Sequence, residues 1–233
     1  MKTVFLPAFV LIVALFSCKK EKDRSINPAP VSPTELAKLS DSCSFTINGE
    51  TIILDRVNSL GRGTSGVNLD TATKQYDKDS LQHRTFFTFG STIPVVKAKF
   101  TVYFVKKYGI NELTRNIGGI KSPASDSSLY YPTGSHPYAV DFARFNTLNG
   151  IVLEYSVPYF LNGVHLISYI NQSAYWQSSL DNNCQNGSRF EILNIYNLPT
   201  GGRLLEATFT ASLFDKDEKA NKLENGYIRL HVD

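Results

Sequence analysis

The chain has 233 residues, of which 42% are hydrophobic and 19% charged, and its formal net charge is +3 at pH 7. This composition is typical of a globular protein and excludes a largely disordered chain. The small charge, carried by scattered lysines and arginines, does not indicate a nucleic-acid partner. Aromatic residues make up 12%, and with abundant valine, isoleucine and threonine they favour strands over helices.

Residues 1–17 have the pattern of an export signal. Lys2 precedes an apolar run, Phe5–Phe16, which is too short to span a hydrocarbon core of ~30 Å. The run ends in Leu15-Phe16-Ser17-Cys18, which resembles the lipobox of bacterial lipoproteins. The resemblance implies that Cys18 is lipidated, and two or three acyl chains there would hold the protein on a membrane. The alternative is an ordinary secretory signal in which Cys18 is incidental.

Residues 18–42 follow as the lipidated cysteine, a tether and a short helix. Residues 19–31 are polar, charged and proline-containing, as in a solvated spacer. Ser32-Pro33-Thr34-Glu35 then predicts a helix start, with Ser32 as the N-cap and Glu35 completing a capping box. We expect one or two helical turns that end by Ser42.

From Cys43 onward the hydrophobic period is two, which predicts strands with one buried face. The alternation is clearest in residues 96–104, 151–156, 205–213 and 227–232. In the second of these segments Val152 falls on the polar side.

Turn signals separate the predicted strands. Asn-Gly pairs, which suit tight β-hairpins, occur at 48–49, 149–150, 162–163, 186–187 and 225–226. Only residues 112–118 favour a helical turn, and residues 118–136 read as a long loop. We therefore expect an all-β fold, an antiparallel β-sandwich with a lipocalin-like β-barrel as the alternative, in a single domain over residues 43–233.

Short strand-and-turn motifs recur through the C-terminal part. They are GIVLEY (Gly150–Tyr155), YWQSS (Tyr175–Ser179), GSRFEI (Gly187–Ile192), ATFTASLF (Ala207–Phe214) and NGYIRLHV (Asn225–Val232). Over residues 150–233 the chain is similar to a group of Bacteroidota cell-envelope lipoproteins, and the SCKKEK stretch after the signal looks like theirs. The resemblance implies an all-β fold and a lipid-anchored location at the outer membrane, on its periplasmic or its surface face. It implies no activity.

Two cysteines remain after Cys18. Cys43 opens the first predicted strand, and Cys184 lies in a polar loop. The oxidising cell envelope allows a disulfide between them, which would stabilise the fold by roughly 4 to 5 kcal/mol in the chain-entropy model. Two free thiols are the alternative.

No catalytic residue, metal ligand or cofactor site is predicted. The histidines (His83, His136, His165 and His231) lack metal-ligand spacing. His165, in an apolar run, reads as half-buried, and His231, on the polar side of the last strand, as solvated. Asp215, Asp217 and Glu218 crowd one hairpin loop, where interleaved lysines favour a solvated tip over a calcium site.

Aromatic residues are the best indication of binding in the sequence. Tyr130 and Tyr131 in the long loop, and Trp176, are candidates for stacking on a sugar ring, although packing in the core is the competing interpretation. Thr71 and Ser80 lie in short Asp-Thr/Ser-apolar patterns that resemble the O-glycosylation motif of Bacteroidota envelope proteins.

These patterns favour a non-enzymatic binding or assembly module on a lipid anchor, with a membrane, a glycan or an envelope protein as its partner. One alternative is a carbohydrate-binding accessory protein of a glycan-uptake system. Another is an envelope hydrolase, which requires a histidine brought close to a carboxylate and a nucleophile in a pocket. A lipocalin-like barrel would instead show a large internal cavity.

Overall fold

The computed structural model describes residues 32–68, 80–90, 98–112, 115–117, 120–122, 132–142, 148–158, 163–173 and 176–232. For residues 58–68, 80–83, 110, 115–117, 120–122, 172–173 and 176 the description covers the backbone alone.

A single-turn helix opens the described part of the chain. Helix α1 (Pro33–Leu36) begins at the N-cap Ser32, whose Oγ accepts the backbone N–H of Glu35 at 3.3 Å. The predicted cap is confirmed. Leu36 is buried against Leu198 and Leu204, so the compact unit of the structure includes this helix, which the sequence assigns to the tether.

Fifteen strands make up most of the remainder. They are β1 (Ser42–Ile47), β2 (Glu50–Leu54), β3 (Arg56–Asn68), β4 (Ser80–Gly90), β5 (Lys99–Gly109), β6 (Arg115–Ile117), β7 (Ile120–Ser122), β8 (Gly134–His136), β9 (Gly150–Val157), β10 (Val164–Ile167), β11 (Gln172–Ser173), β12 (Trp176–Gln177), β13 (Arg189–Asn197), β14 (Arg203–Phe214) and β15 (Ala220–Val232).

Eleven of these strands form one antiparallel sheet. Its order is β2-β1-β15-β14-β10-β9-β5-β4-β3, and β13 pairs with both β14 and β8. Two small hairpins, β6–β7 and β11–β12, lie outside this sheet. The long β14 pairs with β13 over most of its length and meets β10 only at its last residue, Phe214.

The sheet curls back on itself. Strands β1 and β5 are separated in the sheet by β15, β14, β10 and β9, yet the rings of Phe45 on β1 and Phe100 on β5 have centroids 4.9 Å apart. Because neighbouring strands are spaced ~4.8 Å apart, a flat sheet would hold these rings far from each other. The predicted all-β antiparallel fold is confirmed, and its one continuous sheet encloses a core between facing halves.

Stacked phenylalanines fill the centre of this core. The ring of Phe209 stacks on Phe100 with centroids 5.5 Å apart and on Phe190 with centroids 6.2 Å apart. These three residues come from β14, β5 and β13, so the stack ties together strands that are distant in sequence. The alternation predicted for β14 and β15 is confirmed, because their alternate apolar residues are buried.

Strand β9 departs from the predicted pattern because both of its faces are covered. Val152, expected on the polar side, is fully buried. A strap, defined as residues 137–142, crosses the outer face of the sheet and places Ala139 and Phe142 in a second apolar cluster with Val152. The strap is held by the backbone N–H of Ile151, which donates to the Pro137 carbonyl at 2.9 Å.

Two turn predictions have opposite outcomes. Asn48 and Gly49, with φ of 51° and 83°, form the predicted tight turn between β1 and β2. The turn predicted at Asn225-Gly226 is wrong, since both residues lie inside β15. They coincide with an irregularity in the β14–β15 register, where Gly226 faces Phe209.

The helical turn predicted at residues 112–118 is also wrong. A 3₁₀ turn covers Ile110–Glu112 and overlaps that segment only at Glu112, and β6 and β7 then pair as a small hairpin. Glu112 anchors the turn by accepting the backbone N–H of Gly109 on its Oε2 at 2.7 Å. Pairing with a neighbouring strand outweighs the local helical preference in this segment.

Candidate functional site

A pocket of about 540 Å³ opens at one end of the curled sheet. Three hairpin ends surround it, from β1–β2, β9–β10 and β14–β15. We call it the end pocket. Its lining consists of Ile47, Asn48, Glu50, Ile52, Tyr155, Val157, Gly163, Val164, His165, Leu166, Asp215, Lys216, Asp217 and Asn221. Its volume lies within the ~300–1,000 Å³ typical of small-molecule sites.

The inner wall of the end pocket is apolar. Ile47, Tyr155 and Leu166 are buried, whereas Ile52 and Val164 are half-buried. All five are the inward-facing residues of their strands, so the alternation that builds the core continues into the pocket. The Tyr155 ring packs edge-on against Phe45 of the core. Burial, together with the negative charge of Glu50, raises the pKa of the Tyr155 phenol above its ordinary value.

The rim of the pocket is charged. Asp215 fixes the β14–β15 turn, because its Oδ1 accepts the backbone N–H groups of Asp217 and Lys219, both at 2.9 Å. The ammonium of Lys216 lies 2.6 Å from Asp217 Oδ1. Glu50, on the facing hairpin, is exposed. In the part of the rim that the structure describes, the lining therefore carries three carboxylates and one ammonium.

His165 completes the rim, and its predicted environment is wrong. The side chain is exposed rather than half-buried. His165 faces Ser156 in the β9–β10 pairing, and it alternates with Val164 and Leu166, which take the inward positions. The apolar run around it therefore marks the pocket wall, while His165 points to solvent.

The acidic hairpin loop forms no cation site in the structure. Among the described residues, no three or more histidine, cysteine or acidic side chains group as metal ligands. Glu218 instead accepts hydrogen bonds from the backbone N–H and the hydroxyl of Ser179. These bonds hold the pKa of the Glu218 carboxyl below its ordinary value.

A smaller pocket, of about 180 Å³, lies where β9 begins. It is lined in part by Lys106, His136 and Asn149. The Nε2 atom of His136 lies 2.7 Å from the Pro132 carbonyl oxygen, which orients the ring. This pocket is below the usual size for a small-molecule site.

His231 is half-buried rather than solvated as predicted. Its Nδ1 lies 2.8 Å from Oδ1 of Asp41, and its backbone N–H donates to the same oxygen at 2.6 Å. Asp41 precedes β1, so the neighbouring chain segment covers the last strand at this point. A close histidine–carboxylate pair is one of the elements that the hydrolase alternative requires. However, neither residue lines the end pocket or the smaller pocket.

Both cysteines considered for a disulfide are free thiols in the structure. Cys43 is fully buried, which raises the pKa of its thiol, and burial raises the pKa of the Cys184 thiol to about 11. The two cysteines lie at different positions along the sheet. Cys43 pairs with Ile228 of β15, which in turn pairs with Ala207 of β14. Gln185, the residue after Cys184, donates a hydrogen bond to the Ser212 carbonyl of β14. Ser212 lies five residues beyond Ala207, which at ~3.3 Å per residue places it roughly 17 Å further along the strand.

Two outward-facing carboxylates bind tyrosines from neighbouring segments of the chain: Tyr103, Tyr196 and Tyr227 lie on strands, and Tyr169 follows the end of β10. Glu154 accepts the hydroxyls of Tyr169 at 2.9 Å and Tyr103 at 3.2 Å. Glu206 likewise accepts the hydroxyl of Tyr227 at 2.7 Å, and that of Tyr196 at 3.3 Å. Sequence reasoning missed both groups, because only strand register brings these residues together.

Several predicted site residues lie outside the described part of the chain. They are Cys18, Thr71, Tyr130 and Tyr131. Ser80 begins β4 and Trp176 begins β12, with the backbone alone described. Stacking, glycosylation and lipidation at these residues therefore stay predictions. The sequence also gave no direct signal for the end pocket, since its walls come from three separate hairpins.

No protein-family model, curated protein or solved structure matches this chain. Within the described residues, no helix has the length and apolar character needed to cross a membrane.

Proposed function

We propose that this chain is a lipid-anchored, non-enzymatic binding protein of a bacterial cell envelope, and that its end pocket receives a small ligand with an apolar body. The observation that carries the proposal is the end pocket itself. It combines a volume of about 540 Å³ with apolar walls continuous with the core and a few polar groups at its mouth. That combination is the usual form of a small-molecule site.

The described residues that line the pocket do not form a hydrolytic constellation. His165 is exposed at the mouth, and the Asp215 carboxylate is committed to the hairpin turn. A site made of apolar walls and turn-capping carboxylates is suited to holding a molecule. We therefore favour binding over hydrolysis.

The test of pocket binding is a titration with the neutral fluorescent probe N-phenyl-1-naphthylamine. We expect saturable fluorescence enhancement with the wild-type protein, because the probe leaves water for the apolar wall. Ile52→Trp should weaken binding about tenfold, because the larger ring projects into the pocket and overlaps the bound probe. Ile53→Trp is the matched control, since Ile53 is the next residue on β2 and is 64% exposed outside the pocket lining.

A second variant on another hairpin, Val164→Trp, guards against misfolding of the first. Each variant is compared with the wild type by circular dichroism and urea unfolding. The proposal is wrong if the wild-type protein shows no saturable binding, or if folded Ile52→Trp and Val164→Trp both bind as the wild type does.

The anchor is tested separately. The sequence of residues 1–18 supports lipidation at Cys18, which would attach the binding domain to a bilayer through several acyl chains. Cys18→Ser should abolish radiolabelled palmitate incorporation and detergent-dependent membrane association. Release of the unaltered protein from membranes by high salt alone would contradict the anchor.

A further inference from the structure

We propose that the natural ligand of the end pocket is a cationic amphiphile, with its apolar body against the inner wall and its positively charged head at the rim. This inference rests on the proposed function and adds the chemical class of the ligand.

The charge at the rim is the first argument. Among the described residues that line the pocket, Glu50, Asp215 and Asp217 supply three carboxylates, and Lys216 supplies the one ammonium. Lys216 contacts both carboxylate oxygens of Asp217, at 2.6 and 2.8 Å. Glu50 and Asp215 are then in excess over the lysine. The chain as a whole carries +3, so this acidity is local to the pocket and is not a property of the surface in general.

The reach of this charge is the second argument. Tyr155 is buried in the inner wall, where burial raises the pKa of its phenol, and the negative charge of Glu50 raises that pKa further. The electrostatic field of the Glu50 carboxylate therefore extends into the pocket as well as into bulk solvent. Near apolar walls such a charge is less screened than on an open surface. An anionic head would meet repulsion at this position, whereas a cationic head would be attracted.

The division of the lining is the third argument. Apolar residues such as Ile47, Ile52 and Leu166 form the wall, while charged residues stand at the hairpin tips. A ligand without an apolar part would leave that wall in contact with water. A ligand without a polar head would remove water from the rim carboxylates without giving them a partner. An amphiphile satisfies both surfaces.

The experiment compares three probes that share an eight-carbon tail: octyltrimethylammonium, 1-octanol and octanoate. The two ionic probes are titrated below their micelle concentrations and 1-octanol below its solubility limit, at pH 7.5, by calorimetry and by displacement of the neutral fluorescent probe. Exposed charge pairs contribute modestly, so we expect octyltrimethylammonium to bind about tenfold more tightly than octanoate, with octanol between them. Raising the salt from 0.05 to 0.5 M should reduce this ratio.

Glu50→Gln should reduce the cation-to-anion ratio about threefold, because it removes one negative charge from the rim without changing the size of the side chain. The matched control is Glu224→Gln, because Glu224 is an exposed acid on β15 outside the pocket lining. It makes the same change in net charge and should leave the ratio as it is.

The outcomes separate this inference from the proposed function. Equal affinities for the three probes, or tighter binding of octanoate, would overturn the cationic assignment while leaving pocket binding intact. Loss of the ratio in Glu224→Gln as well would also overturn it, because the effect would then come from net charge. If no octyl probe and no neutral fluorescent probe binds, the proposed function itself fails.

Discussion

Gly226→Ala is expected to destabilise the protein strongly, and the sign of the effect is diagnostic. Inside a strand, alanine is ordinarily favoured over glycine by roughly 0.5–1 kcal/mol. At position 226, however, a Cβ atom would lie 2.5 Å from the Phe209 carbonyl oxygen and 2.5 Å from a carbon of its ring. Ordinary contact begins at 3.4 Å, so the overlap is about 0.9 Å.

Relief of this overlap is difficult because Phe209 is held in place. Its ring is stacked between Phe100 and Phe190, and its carbonyl belongs to β14, in the interior of the sheet. Overpacking of this kind costs about 1–3 kcal/mol, and contact with backbone favours the upper end. A loss of about 3 kcal/mol would lower the melting temperature by roughly 6–12 °C for a domain of this size.

Urea unfolding and thermal melting measure the effect. The control is Gly109→Ala, at the end of β5, where an added Cβ would meet only the Glu112 carboxylate at 3.5 Å, an ordinary van der Waals distance. We expect that control to be close to neutral. If Gly226→Ala is as stable as the wild type, or more stable, the packing of Phe209 against β15 is not as described and the reasoning is refuted.

Three further predictions concern single side chains. Tyr227→Phe should lower the free energy of unfolding by about 1 kcal/mol in urea titrations, because it removes a 2.7 Å hydrogen bond to Glu206; an unchanged midpoint would contradict the contact. Ser179→Ala should raise the Glu218 pKa toward its ordinary 4.5, as followed by nuclear magnetic resonance. Because the native pKa is lowered, this contact stabilises the fold above pH 4.5 and is lost as the pH falls through the native value; an unshifted titration would refute it. Cys184, with a pKa of about 11, should react slowly with iodoacetamide at pH 8 without prior reduction. Alkylation that requires a reductant would instead indicate a disulfide.

Local patterns predicted much of the secondary structure. Alternation identified β14 and β15, because one face of each strand had to be buried, and Asn48-Gly49 marked a hairpin because its two residues tolerate positive φ. The Ser32 cap could also be predicted from the sequence, because the capping interaction joins residues that are neighbours in the chain. The same local logic failed at Asn225-Gly226, where Phe209, on another strand, determines what fits.

The amino-acid sequence by itself therefore determined the all-β class, most strand faces and the first helix cap. Only the tertiary structure decided that one sheet curls over its own core, that the strap buries Val152 and that His231 meets Asp41. The end pocket belongs to the second group, because its walls come from three hairpins that are distant in sequence, around Ile47, Val164 and Asp215. Periodicity specifies which side of a strand is apolar, but the register between distant strands decides which apolar sides meet and where they leave a gap.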